Sequence, residues 1–258
     1  MKRRNLVNRS PAAEPSRRCI YGMHAVVEWL NTAPTRIRVL YCDAGALEHT
    51  AALRGSAAAA GVPVQMCPSH TLAKLANTTR HQGVVAECQA FPYVGLDAVL
   101  TRHARLLVLA DQLQDPHNLG AVIRTAEAVG AGALIVPKDG SVGVTPVVEA
   151  AAAGAAALLP VCRVTNVGRT LAEVKEAGYW TVGLTPRVGR DLFEFDAPER
   201  VVMVLGGETG IRPLVARQCD FLVSIPMAGR VESLNASVAA AVTLYQLWRS
   251  QGTGPAVA

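Results

Sequence analysis

The chain has no Cys-x-x-Cys pair: Cys19, Cys42, Cys67, Cys88, Cys162 and Cys219 are scattered. That spacing argues against a zinc ribbon and a disulfide scaffold, and reduced thiols of a cytoplasmic protein are expected. The histidines show no zinc-ligand spacing either, so no metal is expected. No apolar stretch follows the basic start, which argues against a secretory signal. The longest uncharged apolar run, Ala150 to Cys162, is shorter than the ~20 residues of a membrane span, so no membrane partner is expected. Neither Gly-x-Gly-x-x-Gly nor Gly-x-x-x-x-Gly-Lys-Ser/Thr is present at the Gly-rich segment near residue 206. A nicotinamide dinucleotide and a P-loop nucleotide are therefore unsupported. Charge is scarce too. Only 17% of the 258 residues are charged and 50% are hydrophobic, enough for a sizeable core in one large or two small domains.

The net charge of +5 is unevenly placed. Lys2, Arg3, Arg4, Arg9, Arg17 and Arg18, set against Glu14 alone, account for all of it within residues 1–18. Two readings of this basic arm stay open: a segment drawn to nucleic-acid phosphates, or a solvated tail.

Beyond the arm, residues 19–91 alternate helix-like and strand-like patterns. Gly22–Leu30, Leu53–Ala60 and Thr71–Ala76 have helical spacing, and Ile37–Cys42, Val62–Met66 and Gly83–Cys88 read as strands. Residues 92–104 read as a linker with one short helix. From 105 to 250, strand-like runs at Leu106–Ala110, Ala133–Ile135, Trp180–Gly183, Val201–Leu205 and Phe221–Ile225 alternate with helical stretches, and 251–258 form a tail. Unbroken apolar strands between helices predict a second α/β domain with a mostly parallel sheet. The Ala-rich stretches read as composition bias.

Ligands of such sheets sit beyond the C-terminal strand ends, and polar clusters fall there. Asp115-Pro116-His117-Asn118-Leu119-Gly120 leads into a helix that carries Arg124; Leu119, Val122, Ile123, Ala126 and Val129 form its apolar face. Asn118 reads either as a helix cap or as part of a site that takes phosphate with Arg124. Arg124 alone reads more simply as a solvated side chain. Gly206-Gly207-Glu208-Thr209-Gly210 serves a tight turn or a close ligand approach. Thr185-Pro186 marks a further strand end. Ile225-Pro226-Met227 runs into Glu232-Ser233-Leu234-Asn235-Ala236-Ser237, at the start of a long helix. In that helix Leu234, Val238, Ala241, Tyr245 and Trp248 keep helical spacing, and Ala240, Leu244 and Leu247 widen the stripe. So apolar a helix is buried in a core or against another subunit.

In this order, the clusters resemble the three motifs of the SPOUT superfamily of RNA methyltransferases, in its TrmH/RlmB-like branch of ribose 2′-O-methyltransferases. The matching segments are Asn118-x-Gly120-x-x-x-Arg124, Gly206-x-Glu208 with Gly210, and Ile225-Pro226-Met227 through Ser233-Leu234-Asn235. Tyr21-Gly22-Met23-His24-Ala25-Val26 and His81-Gln82-Gly83-Val84 are similar to the start and end of that family's small ribosomal-protein-like RNA-binding domain. Two departures stand out. The family usually carries Gly-x-Glu-x-x-Gly, so the second motif here is one residue short, and Ala236 replaces a commoner valine.

The resemblance implies a catalytic domain with a deep trefoil knot, a homodimer, and S-adenosylmethionine bound bent in the knot. Cofactor contacts would come from Gly206, Ile225 and Leu234, with Thr185 and Met227 nearby. Catalysis and RNA placement would fall to Asn118, Arg124, Glu208, Ser233 and Asn235. The implied reaction methylates a ribose 2′-hydroxyl, expected on a guanosine of 23S rRNA, with tRNA as the runner-up substrate. A resistance-type rRNA methyltransferase is a third option. A different class of function is an RNA-binding ribosome-assembly factor in which the short second motif has lost catalysis.

Overall fold

In the computed structural model, residues 18–252 are described, apart from 45, 46, 187 and 208. The basic arm before Arg18 and the tail from 253 lie outside them.

Two sheets form from the two halves of the chain. The first contains β1 (Arg18–Tyr21), β2 (Ile37–Cys42), β3 (Val64–Met66) and β4 (Val84–Cys88) in the order β1-β4-β2-β3. β4 runs antiparallel to β1 and β2, and β3 is parallel to β2. Helices α1 (Met23–Thr32), α2 (Leu47–Ala59) and α3 (Ser69–Ala76) connect them. The strand β1 starts at Arg18, the last residue assigned to the arm, so the small domain begins one strand earlier than its helical pattern indicates.

The linker contains α4 (Leu96–Leu100). The second sheet then holds β5 (Leu106–Asp111), β6 (Leu134–Pro137), β7 (Val161–Val164), β8 (Trp180–Leu184), β9 (Arg190–Asp191), β10 (Val201–Gly206) and β11 (Phe221–Ser224). Its order is β7-β6-β5-β10-β8-β11-β9, and every recorded pair is parallel. Around it lie α5 (Pro116–Ala128), α6 (Pro146–Ala152), α7 (Ala155–Leu158), α8 (Val167–Glu176), α9 (Pro213–Ala216) and α10 (Ala236–Ser250).

The strand period explains the layers. Alternate side chains of β5 and β10 point to opposite faces. Leu106, Val108, Val201 and Met203 pack with Leu119 and Ile123 of α5 and Leu244 of α10. Leu107, Leu109, Val202 and Val204 pack with Leu171 and Val174 of α8. Each such buried aliphatic side chain contributes about 1.5–3 kcal/mol. Coverage on both faces is why these strands read as continuous apolar runs.

The small domain is docked on the large one. Trp29 Nε1 of α1 donates to Glu149 Oε1 of α6 at 2.9 Å. Arg18 of β1 pairs with Glu149 and donates to the Val144 carbonyl at 3.0 Å.

Candidate functional site

α5 begins two residues before the sequence pattern suggests. Pro116 occupies the first turn, and the Asp115 side chain accepts from the His117 N–H at 2.8 Å, so Asp115 is the cap. Proline fits there because its missing N–H has no helical partner to lose. Asn118 therefore lies inside the helix, and it is buried. Its Oδ1 accepts from Asn235 Nδ2 at 3.0 Å, which ties the first motif to the third across 117 residues.

Asn235 is itself the cap of α10. Its Oδ1 accepts from the Ser237 N–H at 2.9 Å, the Ser237 hydroxyl at 2.6 Å and the Val238 N–H at 3.4 Å. One amide thus does two jobs: its oxygen starts a helix, and its NH2 fixes that helix to α5.

Next to this pair lies a cavity of about 350 Å3 at the C-terminal ends of β8 and β10 and beyond β11. Thr185, Gly206, Ile225, Met227, Ser233 and Leu234 all line it, and so do Gly207, Thr209 and Gly210. Asn118, Arg124 and Asn235 do not line it. Arg124 stands on the exposed face of α5. Glu208 lies outside the described residues.

The second-motif glycines have a steric cause. A Cβ on Gly206 would lie 1.9 Å from the Gly210 carbonyl carbon, and one on Gly207 would lie 2.4 Å from the Gln112 oxygen. The loop closes with the Gly210 N–H donating to the Gly207 carbonyl at 3.0 Å. Only two residues, 208 and 209, separate the bonded glycines.

Below the loop is an ion pair that sequence inspection missed. Asp111 ends β5 with 0% exposure. Arg212 grips it with Nη2 at 2.6 Å and Nε at 3.0 and 3.1 Å, and the Arg212 N–H adds a bond at 3.2 Å. These bonds to Asp111 raise the Arg212 pKa and clamp the chain just after the glycine loop. The available signal was a carboxylate ending an apolar strand, which demands a partner once buried.

The cavity walls suit a particular chemistry. Leu184, Leu205, Ile225, Met227 and Leu234 supply apolar surface, and the glycine and strand-end backbones supply polar groups. No Lys or Arg is among the described lining residues. Such walls offer nothing to a polyphosphate and do not repel a cation, so they fit a nucleoside cofactor that bears a sulfonium. Among the described residues, no group of three or more His, Cys, Asp or Glu could hold a metal.

Parallel sheet, glycine-walled cavity at its C-terminal edge and apolar lining define a cofactor-binding α/β domain. Residues 105–245 match the SpoU rRNA Methylase family, and residues 19–94 match the RNA 2′-O ribose methyltransferase substrate binding family. The chain is 41% identical over 239 residues to the 23S rRNA (guanosine-2′-O-)-methyltransferase RlmB of Coxiella burnetii, covering 90% of this chain and 95% of that one. Among solved structures it resembles the SpoU methyltransferase AviRb of Streptomyces viridochromogenes in complex with AdoMet. That likeness has a TM-score of 0.78 and 28% identity, over 93% of this chain and 92% of that one. An AdoMet-bound rRNA methyltransferase of Sinorhizobium meliloti superposes with a TM-score of 0.74 at 25% identity, over 91% of this chain and 87% of that one. The chain belongs to the SpoU rRNA methylase family, the TrmH/RlmB-like branch of the SPOUT superfamily.

Proposed function

We propose that this protein is an S-adenosylmethionine-dependent RNA ribose 2′-O-methyltransferase that acts on a guanosine of 23S rRNA. The observation that carries this reading is the convergence of the three motifs. The second and third wall a cavity free of Lys and Arg among its described lining residues, and the first is locked to the third by the Asn118–Asn235 bond. A substrate-binding domain on the same chain supports RNA as the substrate.

Bound in that cavity, S-adenosylmethionine supplies an electrophilic methyl group for a ribose 2′-hydroxyl. Gly206, Ile225 and Leu234 hold the cofactor, with Thr185 and Met227 beside them. The apolar walls keep water from the methyl group. Ser233 orients the ribose, and the Asn118–Asn235 bond holds the loop that carries Ser233 against α5. Glu208 takes part in RNA placement. Arg124 grips the phosphate next to the target ribose and lowers the hydroxyl pKa electrostatically; a guanidinium is a donor without an acceptor atom, so it acts by its charge and not as a base. The exposed setting of Arg124 suits a group that meets RNA.

The same reading includes a trefoil knot around the cavity, a cytoplasmic location and a homodimer. Val238 and Tyr245 of α10 are 49% and 50% exposed, whereas Ala240, Leu244 and Leu247 are buried. The outward stripe fits a second copy of the chain. No helix among the described residues is long and apolar enough to cross a membrane. The domain limits are those assigned above with Arg18 moved into the small domain, where it opens β1: arm 1–17, RNA-binding domain 18–91, linker 92–104, methyltransferase domain 105–250 and tail 251–258.

The test is methyl transfer from labelled S-adenosylmethionine to protein-free 23S rRNA or to unmodified tRNA, with nucleosides separated afterwards. Label in 2′-O-methylguanosine from rRNA alone is expected. Label from tRNA would move the substrate, and no transfer with no cofactor binding would leave a ribosome-assembly role. In the same assay Arg124→Lys should keep part of the activity and Arg124→Ala should lose at least tenfold. Loss in both variants alike, with RNA still bound, would sink the electrostatic role.

A further inference from the structure

The two small-domain segments that resemble the family, Tyr21–Val26 and His81–Val84, have no part in the cofactor cavity. They meet elsewhere. A second cavity, of about 240 Å3, lies between the domains and is lined by Tyr21, His24, Arg80 and Gln82 on one side and by His117 and Ala150 on the other.

Its walls are fixed. Gln82 adopts φ 54 and its Oε1 accepts from the Met23 N–H at 2.8 Å, which binds the 80–83 turn to the start of α1. Buried His81 anchors that turn through Nδ1, which accepts from the Gly83 N–H at 3.1 Å. Next to Ala153 of the opposite wall, Gly154 lets α1 approach so closely that a Cβ there would lie 2.5 Å from Glu28 Cγ. The Glu149 bonds to Trp29 and Arg18 hold the same docking. Contacts from both domains therefore build the cleft.

Its charge has one sign. Arg80 carries a positive charge, His24 and His117 offer imidazole N–H donors, and no carboxylate is among the described lining residues. All three side chains are exposed and within reach of a ligand. Burial raises the Tyr21 phenol pKa, and the nearby Arg80 charge opposes that rise. The volume is below the ~300–1,000 Å3 of sites for whole drug-sized ligands, and suits one sugar–phosphate unit. The cleft also lies beside the reaction centre. His117 and Asn118 are consecutive in α5, and successive helical side chains diverge by about 100°. One side of the α5 start thus faces the cleft, and the other holds Asn235 next to the cofactor cavity.

We propose that this interdomain cleft is a second RNA subsite, in which Arg80, His24 and His117 hold the backbone phosphate of a nucleotide flanking the methylated one. The proposal rests on the RNA methyltransferase reading and gives that reading its path from substrate-binding domain to reaction centre.

The full chain tests it through Arg80→Ala and Arg80→Ala/His24→Ala, with Arg169→Ala on the far helix α8 as a charge-loss control. Both cleft variants should raise KM for 23S rRNA about tenfold. The slope of log Kd for RNA against log salt should become shallower by about 0.7–0.9 for each phosphate no longer held. Calorimetric affinity for S-adenosylmethionine should not move, and Arg169→Ala should match the parent. If the double variant keeps the parent's KM and salt slope while the parent methylates rRNA, the cleft is not a subsite and the activity stands. If the parent transfers no methyl but Arg80→Ala still flattens the salt dependence of RNA binding, the subsite stands and the activity reading falls.

Discussion

At the scale of the residue, Asn235 carries the most, because its two halves do different work. The carbonyl oxygen caps α10 and the amide NH2 reaches Asn118. Two substitutions separate these roles. Asn235→Asp keeps an acceptor for the cap and favours the helix N-terminus by charge, but it cannot donate to Asn118. It should unfold near the parent's temperature and lose methyl transfer at least tenfold. Asn235→Ala should lose the transfer as well, and also about 1 kcal/mol of stability. Thermal unfolding run beside the transfer assay checks both, and full activity in the aspartate variant would reduce Asn235 to a cap. The sequence motif indicated that Asn118 and Asn235 matter, but not that they touch, since 117 positions separate them. Asp111 and Arg212 escaped notice for the same reason. Each reads as an ordinary surface charge until the fold buries one and brings the other to it.

At the scale of the element, legibility follows burial. β5 and β10 are covered on both faces, so their apolar runs give them away. β1, β7 and β9 are two to four residues long, and each contains an arginine, so no periodicity announces them. The start of α5 was written in the sequence as Asp115-Pro116, a cap followed by a first-turn proline, yet the same pair also reads as a turn. In α10 the apolar pattern was visible while its division was not. Packing on α5 and β10 selects Ala240, Leu244 and Leu247, and leaves Val238 and Tyr245 outside. The glycine loop is the element on which cofactor binding should depend most. Gly206→Ala sets a methyl group against the Gly210 backbone and should weaken S-adenosylmethionine binding at least tenfold by calorimetry. Gly229→Ala adds a Cβ with nothing within 4 Å and should bind as the parent does. Equal affinities would mean that the loop yields easily and that its tight closure is not what shapes the cavity.

At the scale of the whole molecule, two domains share one buried carboxyl. The division into two units was legible from the break in pattern near residue 92, but their docking was not. Glu149 adjoins an Ala-rich stretch that reads as composition bias, and those small side chains let α1 and α5 close over it. Burial pushes the Glu149 carboxyl from its ordinary 4.5 up to about 7, against the opposing pull of Arg18, Trp29 and Arg36. The Cys88 thiol beside it is pushed up to about 12, by burial first and by Glu149 second. Because the folded state holds the Glu149 proton more tightly than the unfolded chain does, its contribution is full below about pH 4.5 and is lost as pH rises through about 7. Across that window the slope approaches 1.4 kcal/mol per pH unit, about 3 kcal/mol in all. Glu149→Gln keeps an acceptor for Trp29 and does not titrate. Denaturant midpoints of both proteins at pH 5, 6, 7 and 8 should therefore show the parent losing ground to the glutamine variant as pH rises. Parallel profiles would mean that Glu149 stays ionised throughout and that Arg18 fully compensates its burial. Since the RNA cleft exists only between docked domains, a parent that loosens at this contact should also bind 23S rRNA more weakly at pH 8 than the glutamine variant does.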